Sequence, residues 1–244
     1  MSKQNKHSNE STRLEFYATP VHSCPYLEKK LAKTLFLNPE LQPNDPIYNA
    51  LIGKGFRRSG DHIYRPHCDD CSACISVRIK SSNFVANKQQ KRCFKKGKRF
   101  HTRIHPANFD AQHYRLFEQY INSRHADGDM YPTSEKQYKE FILCDWMNTQ
   151  FLDFIEPTTG QLIACCVFDQ LNTGLSAVYT FFDPDYSRFS LGRLAVLTLI
   201  ETSKHLDLDY VYIGYWIKAC RKMSYKSEYR PIECFINDQW VHLG

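Results

Sequence analysis

Nowhere does the chain of 244 residues run apolar for the roughly 18 residues that a membrane-spanning helix needs. Its opening, residues 1–12, is polar and holds no hydrophobic stretch of the secretory kind, so a disordered tail over residues 1–13 is expected, and no signal peptide. No internal repeat or low-complexity tract stands out. One long interval lacks acid altogether. Between Asp70 and Asp110 there is no aspartate or glutamate, although the whole chain is only modestly basic at +6. A solvated face of mixed charge does not look like this.

That interval carries Arg78, Lys80, Lys88, Lys91, Arg92, Lys95, Lys96, Lys98, Arg99 and Arg103. Cations without acids to balance them are the footprint of a protein that meets phosphate backbones. Nothing in the block reads bases, so affinity and steering are what it would supply. Apolar content of 42% and aromatic content of 14% argue for a real core. The length suits one large domain or two small ones. The composition changes near residue 105, with Cys24, Cys68, Cys71, Cys74 and most of the basic block before it and a strand–helix array after it. Residues 14–104 and 105–244 are therefore expected as two domains. Ten cysteines without a signal peptide point to reduced thiols or metal ligands, and to the cytosol.

Residues 176–216 organise the rest. Residues 177–182 are β-branched and aromatic and stop at Asp183-Pro184, as a strand would. Ser190 is placed to cap the following helix, which is apolar on nearly every side from Leu191 to Ile200. Residues 209–214 read as a second strand, parallel to the first because a helix crosses between them. A helix start after a strand attracts anions, and Arg188 and Arg193 add charge there. An ordinary capped βαβ unit fits the same residues.

Earlier in the chain, residues 28–37 suggest a short amphipathic helix and residues 47–52 another. Residues 56–58 and 62–65 suggest a hairpin about Ser59-Gly60-Asp61. Residues 75–79 read as a strand and 84–100 as the helix that carries most of the basic block. Cys68, Cys71 and Cys74 set three thiols on one tight loop, a spacing that suits zinc or an iron–sulfur cluster. Cys24 is the natural fourth ligand, and His67 the alternative for zinc. A buried loop without an ion remains open. The other six cysteines, Cys220 among them, are expected in the core. Further on, helices are expected over 109–123 and 134–146, a turn at 127–130, an antiparallel pair over 151–155 and 161–170, and a last hairpin about Asn237-Asp238.

Several motifs together resemble one family. They are Cys24-Pro25-Tyr26-Leu27; Tyr64-Arg65-Pro66 on to Cys68, Cys71, Cys74 and Arg78; the basic helix from Lys88; Phe182-Asp183-Pro184-Asp185-Tyr186 with Ser190-Leu191-Gly192; and Tyr212-Ile213-Gly214-Tyr215-Trp216-Ile217 through Lys222-Met223-Ser224-Tyr225-Lys226 to Tyr229-Arg230-Pro231. They look like the aminoacyl-tRNA–protein transferases, in the short bacterial branch that passes leucine and is related to eukaryotic arginyl-tRNA–protein transferase. The likeness covers nearly the whole chain after residue 13. It implies an α+β fold: a C-terminal acetyltransferase-like (GNAT) mixed sheet with helices, plus a smaller N-terminal domain holding the cysteines. It also implies transfer of leucine, with arginine the alternative, from aminoacyl-tRNA to proteins with N-terminal Asp or Glu, marking them for degradation. No cofactor is required by that chemistry, no membrane takes part, and a monomer is expected. The eukaryotic pattern has a Cys-x-x-Cys near its start and an adjacent cysteine pair later. Here Leu27 and Ser72 stand in two of those places, so zinc or a cluster at Cys24, Cys68, Cys71 and Cys74 does not carry over directly.

The reaction is aminolysis of an activated ester, for which positioning and oxyanion donors supply most of the acceleration. The acceptor amine, with a pKa of about 8 in model peptides, must first lose a proton. Backbone N–H groups of residues 179–182 are the expected donors, with Tyr179 or Asp183 orienting the amine. Lys218, Lys226 and Arg230 are the candidate cations for an acidic acceptor. Arg78, Lys88, Lys91, Arg92, Lys95, Lys96, Arg188 and Arg193 are the candidate tRNA contacts. Two other readings compete: a non-catalytic tRNA- or RNA-binding adaptor, and an acyl-CoA N-acetyltransferase. The thin glycine supply at 188–193 argues against the second of these.

Overall fold

A computed structural model of the chain describes residues 13–126, 128 and 130–243. The expected tail thus lies outside the described residues except for Arg13, as do Asp127 and Asp129 of the expected turn.

The N-terminal part builds a small antiparallel sheet. Its elements are β1 (Phe16–Ala18), the paired β2 (His22–Ser23) and β3 (Leu31–Ala32), β4 (Thr34–Leu37), α1 (Asp45–Ile52), β5 (Arg57–Ser59) and β6 (His62–Pro66), and the four-stranded order is β1-β4-β6-β5. The helix expected over 28–37 is not there. Leu31 and Leu35 have helical spacing, but ten residues make a marginal helix alone, and neighbouring strands complete the hydrogen bonding instead. Leu35 pairs with Ala18 on one side and Arg65 on the other. The hairpin and α1 appear where expected, with Asn44 accepting from the Ile47 N–H as the cap of α1.

The remaining elements are β7 (Ile75–Lys80), α2 (Lys88–Gly97), β8 (His101–Pro106), α3 (Ala111–Arg124), α4 (Glu135–Ile142), β9 (Thr149–Ile155), β10 (Leu162–Gln170), β11 (Gly174–Phe182), α5 (Leu191–His205), β12 (Tyr210–Trp216), β13 (Ile232–Ile236) and β14 (Gln239–Leu243). They form one eight-stranded mixed sheet in the order β14-β13-β7-β12-β11-β10-β9-β8. The fold is α+β. The sheet crosses residue 105, because β7 lies between β12 and β13 and β8 forms the far edge. Among the described residues β11 and β12 are its one parallel pair, with α5 crossing between them.

Helices α2 and α5 cover one face of the sheet. Val77 and Ile79 of β7, Phe168 of β10 and Leu194, Leu197 and Ile200 of α5 share that core. On the other face α3 and α4 cover β9 to β11, and the small sheet with α1 covers β7 and β12. Helix α2 is shorter than residues 84–100 because Asn87 and Gln90 form a capping box that starts it at Lys88. Helix α4 likewise stops at Ile142, before the expected 146. Ser190 does not cap α5 with its side chain. It stands in the left-handed region at φ 55° and makes no side-chain cap bond. No helix of the described residues is long and apolar enough to cross a membrane.

Candidate active site at a fork in the sheet

The parallel pair is short. Gly174, Leu175 and Ser176 pair with Tyr210, Val211 and Tyr212, and the ladder stops there, although β11 runs on to Phe182 and β12 to Trp216. Each strand is bulged at this level on its other side. The pairing of β11 with β10 skips between Val167 and Phe168, and that of β12 with β7 skips between Tyr212 and Tyr215. Bulges bend and twist a strand, so two of them facing away from each other turn the strands apart. Gly214, at φ 82°, supplies the left-handed residue in β12. Among the described residues the edge of β11 that faces β12 has no ladder partner from residue 177 onward; because β11 still pairs with β10 up to Phe182, only alternate N–H groups of the expected oxyanion donors face that edge.

Lys226 comes to this fork from the 3₁₀ turn Arg221–Glu228. Its ammonium donates to the Tyr215 carbonyl at 2.6 Å, and a Cβ on Gly214 would meet it at 3.4 Å. Burial first, and the charge of Arg57 second, pull its pKa down to about 8. Arg57 is buried in β5. It donates to the carbonyls of Phe56 and Val77 and to Ser76 Oγ, and its guanidinium faces the rings of Tyr212 and Tyr215 at 5.3 and 5.9 Å. Its Nε is buried without a partner. Among the described residues neither cation makes an ion pair. Two close cations in a site of low dielectric with no carboxylate between them call for an anion. Tyr225, pushed up to about 12 by burial with Tyr120 and Cys166 beside it, ties the 3₁₀ turn to α3 and β10.

Of the residues singled out from the sequence, Lys226 reaches the fork. Lys218 is exposed, and Arg230 donates to the carbonyls of Ser227 and Leu243. Tyr179 packs its ring against Phe117, Tyr120 and Phe141, and burial raises its pKa. Asp183 accepts from the Asp185 N–H and from Gln161 and Gln119, which shapes the turn after β11. No hydrogen bond or ring contact joins either to Lys226 among the described residues.

The basic helix lies beside the fork. Gln90 of α2 donates to the Glu228 carbonyl, and the Cys93 thiol donates to the carbonyls of Phe189 and Ser190. Gln90, Cys93 and Gly97 face inward, and Gly97 lets Leu194 approach where a Cβ would sit 2.3 Å away. Lys88, Lys91, Arg92, Lys95 and Lys96 point outward, and none makes an ion pair among the described residues. Arg188 and Arg99 flank Phe189 at 5.0 and 5.4 Å, which carries the cationic surface toward the start of α5. Arg193 there is held by Glu228 at 2.8 Å. Arg78 stands apart. It points to the face opposite α2, paired with Glu233 at 2.6 Å and stacked on Tyr210 and Trp240, because β7 alternates and Val77 and Ile79 take the α2 side.

The four candidate metal ligands lie near one another, with an addition. Burial, then the sulfurs of Cys24, Cys68, Cys71 and Cys220, push the Cys74 thiol up to about 12. Cys220, expected in the core, is half-buried and belongs to this neighbourhood, and so is Cys144 half-buried. Among the described residues the thiols do not form a set of ligand atoms all within 4.8 Å of one another. Among the described residues the one set of ligand atoms within 4.8 Å of one another is His105, His113 and Asp153.

Sequence reasoning missed Arg57, because Phe56-Arg57-Arg58 reads only as one arm of a hairpin. No local signal marks it, since Phe56 and Arg58 flank it and Asp61 lies four residues on. It missed Cys220 because nothing local links that residue to Cys74.

Comparison with known proteins gives a consistent picture. The family described as arginine-tRNA-protein transferase, C terminus, matches residues 112–236, and its N-terminus counterpart matches residues 22–92. The chain is similar to proteins named aspartate/glutamate leucyltransferase from Alcanivorax borkumensis (47% identical, covering 93% of each chain), Teredinibacter turnerae (45%, 95% of each) and Pseudomonas aeruginosa (48%, 96% of this chain and 99% of the other). Among solved structures it is similar to FemX at 7% identity and a TM-score of 0.44, over 83% of this chain and 79% of that one.

Proposed function

We propose that this chain, which belongs to the family of aspartate/glutamate leucyltransferases, passes leucine from leucyl-tRNA to the α-amine of proteins that begin with aspartate or glutamate. The observation that carries the acceptor choice is the uncompensated pair Arg57 and Lys226 at the fork. An acidic first side chain supplies the missing anion, and a neutral or basic one leaves two cations desolvated and unmatched.

The free edge of β11 suits the ester. The alternate backbone N–H groups of residues 177–182 that do not bond to β10 are the donors available to a carbonyl oxygen that gains charge during attack. The neutral acceptor amine forms the new C–N bond, the bond from the carbonyl carbon to the ribose oxygen breaks, and the amine's proton ends on that oxygen. The ester is already activated, so holding amine and carbonyl in one place is the main task. On this reading Tyr179 and Asp183 hold the wall and the turn of the site, and Lys218 and Arg230 serve at its approach.

The antiparallel run β9-β10-β11 followed by α5 and the parallel, diverging β12 supports an acetyltransferase-like (GNAT) core. Lys88, Lys91, Arg92, Lys95, Lys96 and Arg188 are the cations available to tRNA phosphates. For Cys24, Cys68, Cys71 and Cys74 the donor type and number fit zinc or an iron–sulfur cluster, and a cation would relieve the crowding of thiols about Cys74. Such a group would clamp the N-terminal loop. Marking acceptors for degradation, in the cytoplasm, and action as a monomer complete the proposal.

The test is transfer of labelled leucine from leucyl-tRNA to peptides that differ only in their first residue. Transfer to Asp and Glu but not to Asn, Gln or Lys is expected. Binding of tRNA without transfer, or acetyl-CoA turnover, would overturn it.

A further inference from the structure

We propose that the cleft between α2 and α5 seats one unpaired nucleotide of the tRNA, with its base against Phe94 and its flanking phosphates on Lys91, Lys95 and Lys98. The proposal rests on reading the chain as a tRNA-dependent transferase and adds a nucleotide subsite away from the reacting ester.

The cleft holds about 420 Å³, within the range of small-ligand sites. Phe84, Phe94 and Leu197 give it an apolar floor, and the three lysines stand around it. Lys91, Lys95 and Lys98 fall at i, i+4 and i+7 of the helical run, so they form one stripe, with Phe94 beside it. All three are exposed and make no ion pair among the described residues. The one acid at the rim, Glu201, is held by Lys204 at 3.0 Å. Phe84 already stacks on Tyr229, with Lys204 over its ring at 5.9 Å. Phe94 is half-buried and stacks on no other ring among the described residues.

An aromatic ring that lines a cleft unstacked by any other ring, beside a row of unpaired cations, is the pattern by which proteins hold single-stranded nucleic acid. A paired base is already stacked and cannot offer its face, so the occupant is an unpaired nucleotide. Its place along the tRNA follows from the helix. Leu197 lies six residues beyond Leu191, about 9 Å along α5 from the end that adjoins the fork. An unpaired 3′ segment that carries its ester into the fork passes this point. The cations also continue along α2 through Lys88, Arg92 and Lys96, which suits an extended polyanion.

The experiment uses the full chain and two RNAs, intact tRNA and tRNA trimmed of its unpaired 3′ nucleotides. Phe94→Ala should weaken binding of intact tRNA about tenfold or more while leaving its salt slope unchanged, and should leave the trimmed RNA unaffected. Phe94→Tyr should restore binding. Lys98→Ala should lower the salt slope by about one. Because removing a half-buried ring can disturb folding, the unaltered protein gives a second arm: a thiolated base in the unpaired 3′ segment should photo-cross-link within residues 84–98. Equal losses on both RNAs, no loss on either, or cross-links confined to other segments would overturn the proposal. So would Phe94-dependent binding to vesicles of anionic phospholipid with tRNA binding unchanged. These are binding readouts. A chain that binds in the expected way yet moves no leucine would sink the transferase reading and leave the nucleotide site standing.

Discussion

Lys226, half-buried, donates to the carbonyl of Tyr215 across 2.6 Å, a neutral acceptor where a desolvated ammonium would ordinarily have a carboxylate. Arg57 lies close enough to depress it further. No carboxylate pairs with either cation among the described residues, and on the proposed reading the acceptor's first side chain is the group that would bring the negative charge.

Replacing Lys226 with methionine keeps the volume of the stem and removes the charge. A hydrogen bond to a charged group contributes about 1.5–3 kcal/mol. The kcat/KM for a peptide starting with Asp should fall roughly tenfold to a hundredfold, mostly through KM. Peptides starting with Asn should change little. Equal losses on both would mean that Lys226 supports the fold rather than the choice of acceptor.

Acceptor binding should depend on pH through the same residue. With Lys226 at about 8 in the free protein, its charge is present below that value and lost above it. Affinity for a peptide whose first residue is replaced by a succinyl group, which has the carboxylate but no amine to titrate, should fall as pH rises through 8. Bound carboxylate favours the ammonium, so the midpoint in the complex should move up. Stability runs the other way. Between about 8 and 10.5 the unfolded chain holds a proton that the folded one has released, so unfolding becomes harder across that window. Calorimetry at several pH values checks both.

Gly174 opens the parallel pair, and a Cβ there would meet the Tyr210 carbonyl oxygen at 2.4 Å. The oxygen is backbone and the Cβ is fixed to backbone, so Gly174→Ala should cost about 1–3 kcal/mol and disturb the base of the fork. Gly192 in the first turn of α5 has nothing within 4 Å. Gly192→Ala should be neutral or stabilising by up to about 1 kcal/mol. Urea denaturation of the two variants separates these outcomes.

Asp153 is fully buried and accepts from His105, His113 and Arg103. Burial alone would raise its pKa, but those bonds hold it down at about 2. Their contribution is complete above the ordinary value of 3.8 and is lost as pH falls to about 2. Roughly 2 kcal/mol of stability should disappear over that interval. Asp153→Asn should be less stable at neutral pH and should lack this acid-dependent step in denaturant titrations.

Reversing Lys91, Arg92, Lys95 and Lys96 to glutamate should weaken tRNA binding and flatten its salt dependence, by about 0.9 in slope for each phosphate no longer neutralised. Arg78→Gln should leave the salt slope alone and lower stability instead, since the buried Glu233 would lose its 2.6 Å partner and keep only His242 at 3.4 Å. Filter binding across a salt series distinguishes them.

Residues 177–182, 191–200 and 209–214 show their strand, buried helix and strand in the sequence, because each carries its own periodicity and stop signals. The same holds for the hairpin at Gly60 and for the basic face of α2. Where the pattern was ambiguous, as at residues 31–37, hydrogen-bonding partners from β1 and β6 decided between helix and strand. The family resemblance was legible for a related reason, since ordered motifs survive in one dimension.

The fork was not legible. It depends on two bulges in strands that face different neighbours, and on β7 entering the sheet from an earlier part of the chain. The pairing of Arg57 with Lys226, the approach of Cys220 to Cys74 and the turning of Arg78 away from the basic helix are likewise relations between distant positions. Local propensity is set by neighbours along the chain. The cost of a buried charge, and therefore the ligand that relieves it, is set by whatever the fold brings alongside.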